Sequence, residues 1–513
     1  MANKRIFKPA RPADLTRNLA GGVAYAMSDQ AALAQYLMTG TFSNTFYANA
    51  EEDTERVLAL AKKLEPEYLA KLAVFARERG YMKDAPALLV AVLAARAPKL
   101  CEAVFARVID NAKMLRNFVQ IVRSGLAGRK SLGTAPKRLV ANWLLAASDR
   151  ELLGAVGESP SIADVIKLAR PKPRDRTREA LFGYLIGKVK GDAEDLPAIV
   201  RKFEAFKLGA EEVPNVDFRL LTALPLRNEQ WQTIARNAPW HMTRMNLNTF
   251  ARHGVFEDGE LTRLIVERLR DPQLIAKARV FPYQLLAAYL NASDAVPKAV
   301  TEALIDAAEA AVGNVPVVEG RVFVFPDVSG SMRSPVTGRR GGGTTKLRCV
   351  DVAGLVTACI LRRNPQAEIM PFEGALVTGL RLSARDSIMT NAEKLASVGG
   401  GSTNCSAPLA ELNARNAAGD LLIYVSDNES WVDAGSNRGT ATMREWQRFR
   451  ARNPGAKLAC IDIQPNRAVQ ARSGEDVLNV GGFSDAVFDA LAAFARGELW
   501  GDAWVKKVEK VTL

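Results

Sequence analysis

The sequence predicts two successive architectures: an all-helical repeat domain over residues 1–318 and a doubly wound α/β domain over residues 319–513. Three observations carry this reading. Apolar residues recur at three-to-four spacing almost without a break from 31 to 311, the period of helices that bury one face. From about 312, short runs rich in Val, Phe, Leu and Ile alternate with helical stretches, the pattern of a mainly parallel sheet with helical crossovers. Finally, 513 residues at 48 % hydrophobic and 24 % charged give ordinary folded domains of roughly 150 residues each.

In chain order, the N-terminal part reads as helices at 57–64, 68–77, 85–95, 104–123 and 135–147. Breaks at 79–80, 154–161, 170–173, 209–214 and 271–272, each marked by Gly, Pro or Ser, end one helix and open the next. Stacked helical hairpins result, an irregular HEAT-like solenoid; without a fixed-period repeat, a helical bundle is the alternative. The C-terminal part reads as strands at 321–325, 368–372, 375–382, 421–425, 456–463 and 477–480. Its helices are expected at 347–363, 387–396, 407–416, 442–452 and 484–496. In such a sheet the ligand site lies at the carboxyl ends of the strands.

Composition excludes several classes. No stretch approaches ~20 uninterrupted apolar residues; even 69–92 is broken by Lys71, Arg77, Glu78, Arg79, Lys83 and Asp84. The first ten residues carry Lys4, Arg5 and Lys8 with no apolar core behind them, so no secretory signal is expected and the location is read as cytoplasmic. Five widely spaced cysteines without a CxxC pair point to reduced, buried thiols rather than disulfides or zinc.

Charge is unevenly placed. The net +13 divides into +10 over 1–318 and +3 over 319–513, and residues 107–190 alone hold 17 basic against 7 acidic side chains. Within them, 111–148 has seven basic residues and no acidic one. A concentrated positive field binds polyanions through counterion release, so nucleic acid is the leading partner; a merely solvated helical face is the other reading.

The sharpest local signal is Asp327-Val328-Ser329-Gly330-Ser331 at the end of the first C-terminal strand. Alternate spacing lets one carboxylate and two hydroxyls turn to a common point. Hard oxygens carrying little charge suit magnesium or another divalent cation. The loop GGGSTN at 399–404 and the pair Ser426-Asp427 closing a strand fit the same site. Taken alone, DxSxS also describes a capped turn. No Walker loop, HExxH, GxSxG or paired-carboxylate spacing accompanies the two histidines, so no catalysis is expected.

This trio resembles the metal-ion-dependent adhesion site of von Willebrand factor A domains, over about 321–496. The resemblance implies that Asp327, Ser329, Ser331, Thr403 and Asp427 coordinate the ion, with an open position for a partner's acidic group. An insertion at 333–346, with Arg339, Arg340 and Lys346, departs from the pattern and reads as a mobile basic loop over the metal.

Joined to a basic helical region, the domain is similar to a bacterial-type member of the Ro autoantigen family, whose helical part is the TROVE domain. The carrying stretches are GSTNCSA at 401–407, VSDNES at 425–430, DVLNVGGF at 476–483, TAPKRLVANWL at 134–144, VIKLARPKP at 165–173 and RVFPYQL at 279–285. The resemblance implies a ring of helical repeats that binds Y or Y-like small noncoding RNA outside. Single-stranded ends of misfolded RNA would enter the central hole. It further implies a monomer within a ribonucleoprotein and a 3′ exoribonuclease partner such as polynucleotide phosphorylase. By the same likeness Lys137, Arg138 and Arg170 fall on the outer RNA surface.

Lys172, Arg174 and Arg176 extend that patch in a Pro-containing loop suited to phosphates, although an ordinary solvated loop would look alike. The segment 239–250, PWHMTRMNLNTF, resembles the family's lining of the hole. There Arg244 and Asn246 would touch an RNA end while Trp240 or His241 stacks on a base, with Met245 and Phe250 in the core. The rival function is a metal-dependent protein-interaction scaffold without a specific RNA.

Overall fold

Apolar runs set the centre of the C-terminal part: VFVFP, LLIYVS and KLACID are buried along nearly their whole length, as strands covered on both faces must be. A computed structural model describes residues 14–513 except 40–41, 43, 45–48, 156, 158, 279, 281, 316, 340–345, 433–438 and 465–467. The strands are β1 Leu15–Arg17, β2 Val23–Ala26, β3 Val322–Pro326, β4 Glu368–Ile369, β5 Leu421–Ser426, β6 Lys457–Asp462, β7 Ala468–Val469 and β8 Val477–Gly481.

A fully parallel sheet runs in the order β4-β3-β5-β6-β8. The order reverses direction between β3 and β5, and that switch point opens a crevice at their carboxyl ends. Phe323, Phe325, Phe372, Tyr424, Trp446 and Phe449 fill one core against the sheet. The helix Cys349–Arg363 is buried through residue 361 and crosses Ile388–Ala396 closely at Gly354. A side chain there would meet the Ala392 carbonyl oxygen at 2.8 Å, so only glycine allows the approach.

Two expectations differ from what is seen. No strand forms at 375–382: Phe372 and Leu376 make a single bridge, Val377 donates to the Pro371 carbonyl (2.8 Å), and Gly379 takes φ +87°. Glycines and Pro371 turn the chain away from the sheet edge. Conversely, the N-terminal part contains strands. β1 and β2 form a hairpin that pairs antiparallel with β7.

The chain divides into two units: Met1–Leu60 with Leu269–Ala292 and Thr301–Lys507, and Ala61–Arg268 with Ser293–Val300 and Val508–Leu513. β2 pairs with β7, made more than 400 residues later, a long-range association that periodicity does not register.

In the helical unit, Pro66–Glu78 packs on Asp84–Arg96 and Pro98–Val108; Asp84–Arg96 packs on Ala112–Ser124, and Pro98–Val108 on Thr134–Ala146. Each helix thus meets its next or next-but-one successor, as in a stack of hairpins. Within the basic segment the ends are set by caps. Asn111 accepts from Met114 N–H (3.0 Å), Ser148 from Glu151 N–H (3.2 Å) and Asp175 from Arg178 N–H (2.7 Å), and Ser161 forms a capping box with Asp164. All five cysteines are buried and none is in a disulfide.

Candidate functional site

β3 and β5 lie side by side in parallel register, Pro326 opposite Val425, so the residues that follow them emerge together. Asp327 donates its backbone N–H to the Val425 carbonyl at 2.9 Å. The chain then turns through Val328–Gly330 into a short 3-10 turn, Ser331–Arg333. Gly400 N–H donates to the Val328 carbonyl (2.9 Å) and Gly330 N–H to the Gly401 carbonyl (2.8 Å), which stitches the glycine loop to the DVSGS turn. Gly399 has φ +76°, and a Cβ there would collide with the Val328 carbonyl oxygen.

Asp327, Ser329, Ser331, Thr403 and Asp427 are all buried, Asp327 and Ser329 completely. Ser329 N–H donates to Asp327 Oδ1 (2.9 Å), the Ser426 hydroxyl donates to Asp327 Oδ2 (2.6 Å), and the Ser329 and Ser331 hydroxyls stand 3.3 Å apart. Ser430 Oγ donates to the Thr403 carbonyl (3.4 Å), bringing the third segment in.

Burial pushes Asp327 above the usual carboxylate range; hydrogen bonds from Ser329 and Ser426 oppose this, and Glu373 adds to it. Burial and then the charge of Asp327 push Asp427 up to about 7. The Asp427 Oδ2 atom is buried without a hydrogen-bond partner. A buried carboxylate pair with an orphaned oxygen and converging hydroxyls costs stability unless a cation compensates it. The set therefore fits a divalent ion. Only two carboxylates are in the set, and among the described residues no group of three His, Cys, Asp or Glu side chains could hold a metal.

Three neighbours were not singled out as site residues. Glu373 accepts from Gly401 N–H (2.7 Å) and its carbonyl from Asn404 N–H (2.8 Å), fixing the glycine loop; no motif marks it. Glu429, inside VSDNES, is 1 % exposed, accepts from Ala20 N–H (3.0 Å) and is pushed up to about 8 by burial. Arg333 donates to the Gly399 carbonyl at 2.8 Å. The insertion is pinned at its base by Val336 N–H to the Leu347 carbonyl (2.9 Å) and a Pro335–Arg348 bridge; its middle, 340–345, with Arg340, lies outside the described residues.

The basic residues occupy the helical unit. Lys137, half-buried, and Arg138, exposed, lie on Thr134–Ala146, which packs against Ile162–Ala169. Arg138 is held by Glu102 at 2.8 Å. Arg170 ends Ile162–Ala169 in the left-handed conformation, φ 50°. Pro171 and Pro173 then keep the chain out of a helix until Asp175 caps Arg176–Leu185. Arg170, Lys172, Arg174 and Arg176 are exposed and make no ion pair among the described residues, whereas Arg178 pairs with Asp149 at 3.3 Å.

The segment 239–250 departs from expectation. Trp240 is only 4 % exposed, so it cannot stack on a base, and Met245 is 72 % exposed rather than core. Burial follows Trp240, Thr243, Leu247 and Phe250, a helical stripe whose opposite side carries Met245. His241 is exposed and edge-on to Trp240 (5.6 Å), Arg244 is half-buried, and Asn246 donates to the Met242 carbonyl at 2.8 Å. His253 stacks on Trp231 at 4.3 Å.

Residues 321–495 match the family model described as the Ro60 vWA domain. The chain is 27 % identical to the RNA-binding protein RO60 of Deinococcus radiodurans over 521 residues, covering 94 % of this chain and 96 % of that protein. Among solved structures, the Deinococcus radiodurans RO (RSR) protein matches in fold with a TM-score of 0.62 at 23 % identity, over 92 % of this chain and 100 % of that one. Among the described residues no helix is long and apolar enough to cross a membrane.

Proposed function

From a chain that resembles the Ro proteins over almost its whole length, we propose an RNA-binding protein whose helical unit holds small structured RNA of the Y or Y-like kind. The observation that carries this is the row Arg170, Lys172, Arg174 and Arg176: four exposed cations with no ion pair among the described residues, on one capped, Pro-containing loop. A surface that served only solubility would have no need of uncompensated like charges so close together. Phosphates supply that compensation without demanding a base sequence.

Residues His241, Arg244 and Asn246 form a second contact for single-stranded ends of defective RNA. The role is quality control, alongside a 3′ exoribonuclease. Asp327, Ser329, Ser331, Thr403 and Asp427 would hold magnesium; when bound, the ion neutralises the two buried carboxylates and offers a Lewis-acidic point to a partner's carboxylate. Glu373 and Arg333 position the glycine loop beneath it.

The test is a salt titration of hairpin RNA binding by the purified protein. Steep weakening between low and moderate salt is expected. Weak, salt-insensitive binding would favour the scaffold reading instead.

A further inference from the structure

The parallel sheet ends at β4, which pairs on one side only, with β3. Met370 and Phe372 send their N–H groups to the Val324 (2.9 Å) and Pro326 (3.1 Å) carbonyls of β3. Successive residues of a strand point opposite ways, so the N–H and C=O of Ile369 face outward. There a groove of about 600 Å³ runs between the β4 edge and residues 380–385.

That far wall is built firmly. Asn391, buried, donates to the Ser383 carbonyl (2.7 Å) and accepts from Ser383 N–H (3.3 Å); Arg362 donates to the Ala384 carbonyl (2.5 Å). From this held segment Arg381 and Arg385 line the groove, both exposed. The acids nearby are already engaged. Glu368 pairs with Arg415 (2.5 Å) and Arg321 (3.5 Å), Asp386 with Lys394 (2.7 Å), and Glu309 with Arg362 (2.6 Å). Arg381 and Arg385 make no ion pair among the described residues, so the groove carries two uncompensated guanidinium groups.

We propose that this groove binds an extended acidic segment of a partner protein, laid beside β4. The two arginines take its carboxylates in charge-assisted pairs. Leu380 and Leu382, with Ile369 opposite, offer apolar contact at alternate positions, matching the two-residue period of an extended peptide. Pro371 removes the next outward N–H, so backbone pairing is confined to Ile369 and side chains set the affinity. No aromatic residue lines the groove, which disfavours single-stranded nucleic acid, whose bases need stacking faces.

The experiment uses the full chain and a short fluorescent peptide of alternating glutamate and valine, followed by anisotropy, with a lysine–valine peptide for comparison. Saturable binding of the acidic peptide alone is expected. The double variant Arg381→Gln/Arg385→Gln should weaken it about tenfold while the melting temperature and hairpin-RNA affinity stay at the parent level. No saturable binding by the parent protein, or equal affinity in the variant, would overturn the proposal. So would a loss of RNA affinity in that variant, which would make RNA the occupant.

Discussion

Replacing Arg170, Lys172 and Arg174 together by glutamine removes three cations that have no ion-pair partner among the described residues, and so breaks no ion pair with them. The fold should survive, with a melting temperature within a few degrees of the parent, since the three side chains are exposed and position 170, which ends its helix, keeps its backbone N–H bond to Ile166 as glutamine; exposed substitutions stay within about 0.5 kcal/mol. Binding should change in a specific way. Each phosphate contact contributes about 0.7 to 0.9 to the slope of log affinity against log salt, the lower value for single strands, so three lost contacts should flatten the slope by about two to three units. Arg138→Gln provides the contrast. Its guanidinium is already held by Glu102, with both partners about half exposed, so a phosphate must displace a carboxylate and the slope should change by less than one unit. Filter binding of one hairpin RNA across a salt series measures both. An unchanged slope in the triple variant, or equal losses from the triple and from Arg138→Gln, would refute the assignment of RNA to this loop.

Asp327→Asn should abolish magnesium binding by calorimetry while leaving RNA affinity intact; because it relieves repulsion in the buried pair, the metal-free variant should melt no lower than the parent. Full magnesium affinity in that variant would remove Asp327 from the site. Gly399→Ala places a Cβ against the Val328 carbonyl oxygen in a left-handed backbone, so magnesium affinity should drop by about tenfold or more, from roughly 1–3 kcal/mol of strain, and retention of affinity would show that the loop does not shape the site. Arg244→Ala/Asn246→Ala should weaken RNA with a 3′ tail and spare a blunt hairpin; identical losses on both would merge the two RNA sites into one. Trp446→Ala empties a fully buried position and removes the indole donor to Asp476 (2.8 Å), leaving Arg450 (3.1 Å) to hold that carboxylate, at a cost of about 3–5 kcal/mol in chemical denaturation.

The α/β part was legible because its signals are local. β3, β5 and β6 are largely apolar runs, the DVSGS turn follows β3 directly and VSDNES begins on the last two residues of β5, so chemistry and topology were adjacent in the sequence. What was missed depends on partners remote in sequence. A three-residue strand such as Leu15–Arg17 has too few positions to show a period, and its reason to be a strand lies in β2 and β7. The segment 375–382 has a strand's composition, yet Gly374, Gly379 and the lack of a partner beyond β4 leave it irregular. Around 239–250 the helical pattern was clear but its phase was not: Trp240 and Met245 are both apolar, and only the packing of Thr243, Leu247 and Phe250 tells which one faces inward. Glu373 carried no signal, because its work is done through two backbone N–H groups whose positions no side-chain motif records.

The hairpin at the chain's start has a consequence for synthesis. Asn18 donates to the Ser430 carbonyl (2.6 Å), Gln35 to Asp462 (2.6 Å), and Gly22 lies so close to Ser430 that a Cβ would collide with it. These partners leave the ribosome more than 400 residues apart, so the earlier segment must wait, unassembled, until the strands that it joins have been made. Loop closure over that span is entropically slow. A fragment begun at 319 would lack the hairpin altogether, leaving Asp462 without Gln35 and Glu429 without the Ala20 N–H in an otherwise dry interior. The nascent chain therefore holds this hairpin in reserve, and the α/β unit that it completes matures last.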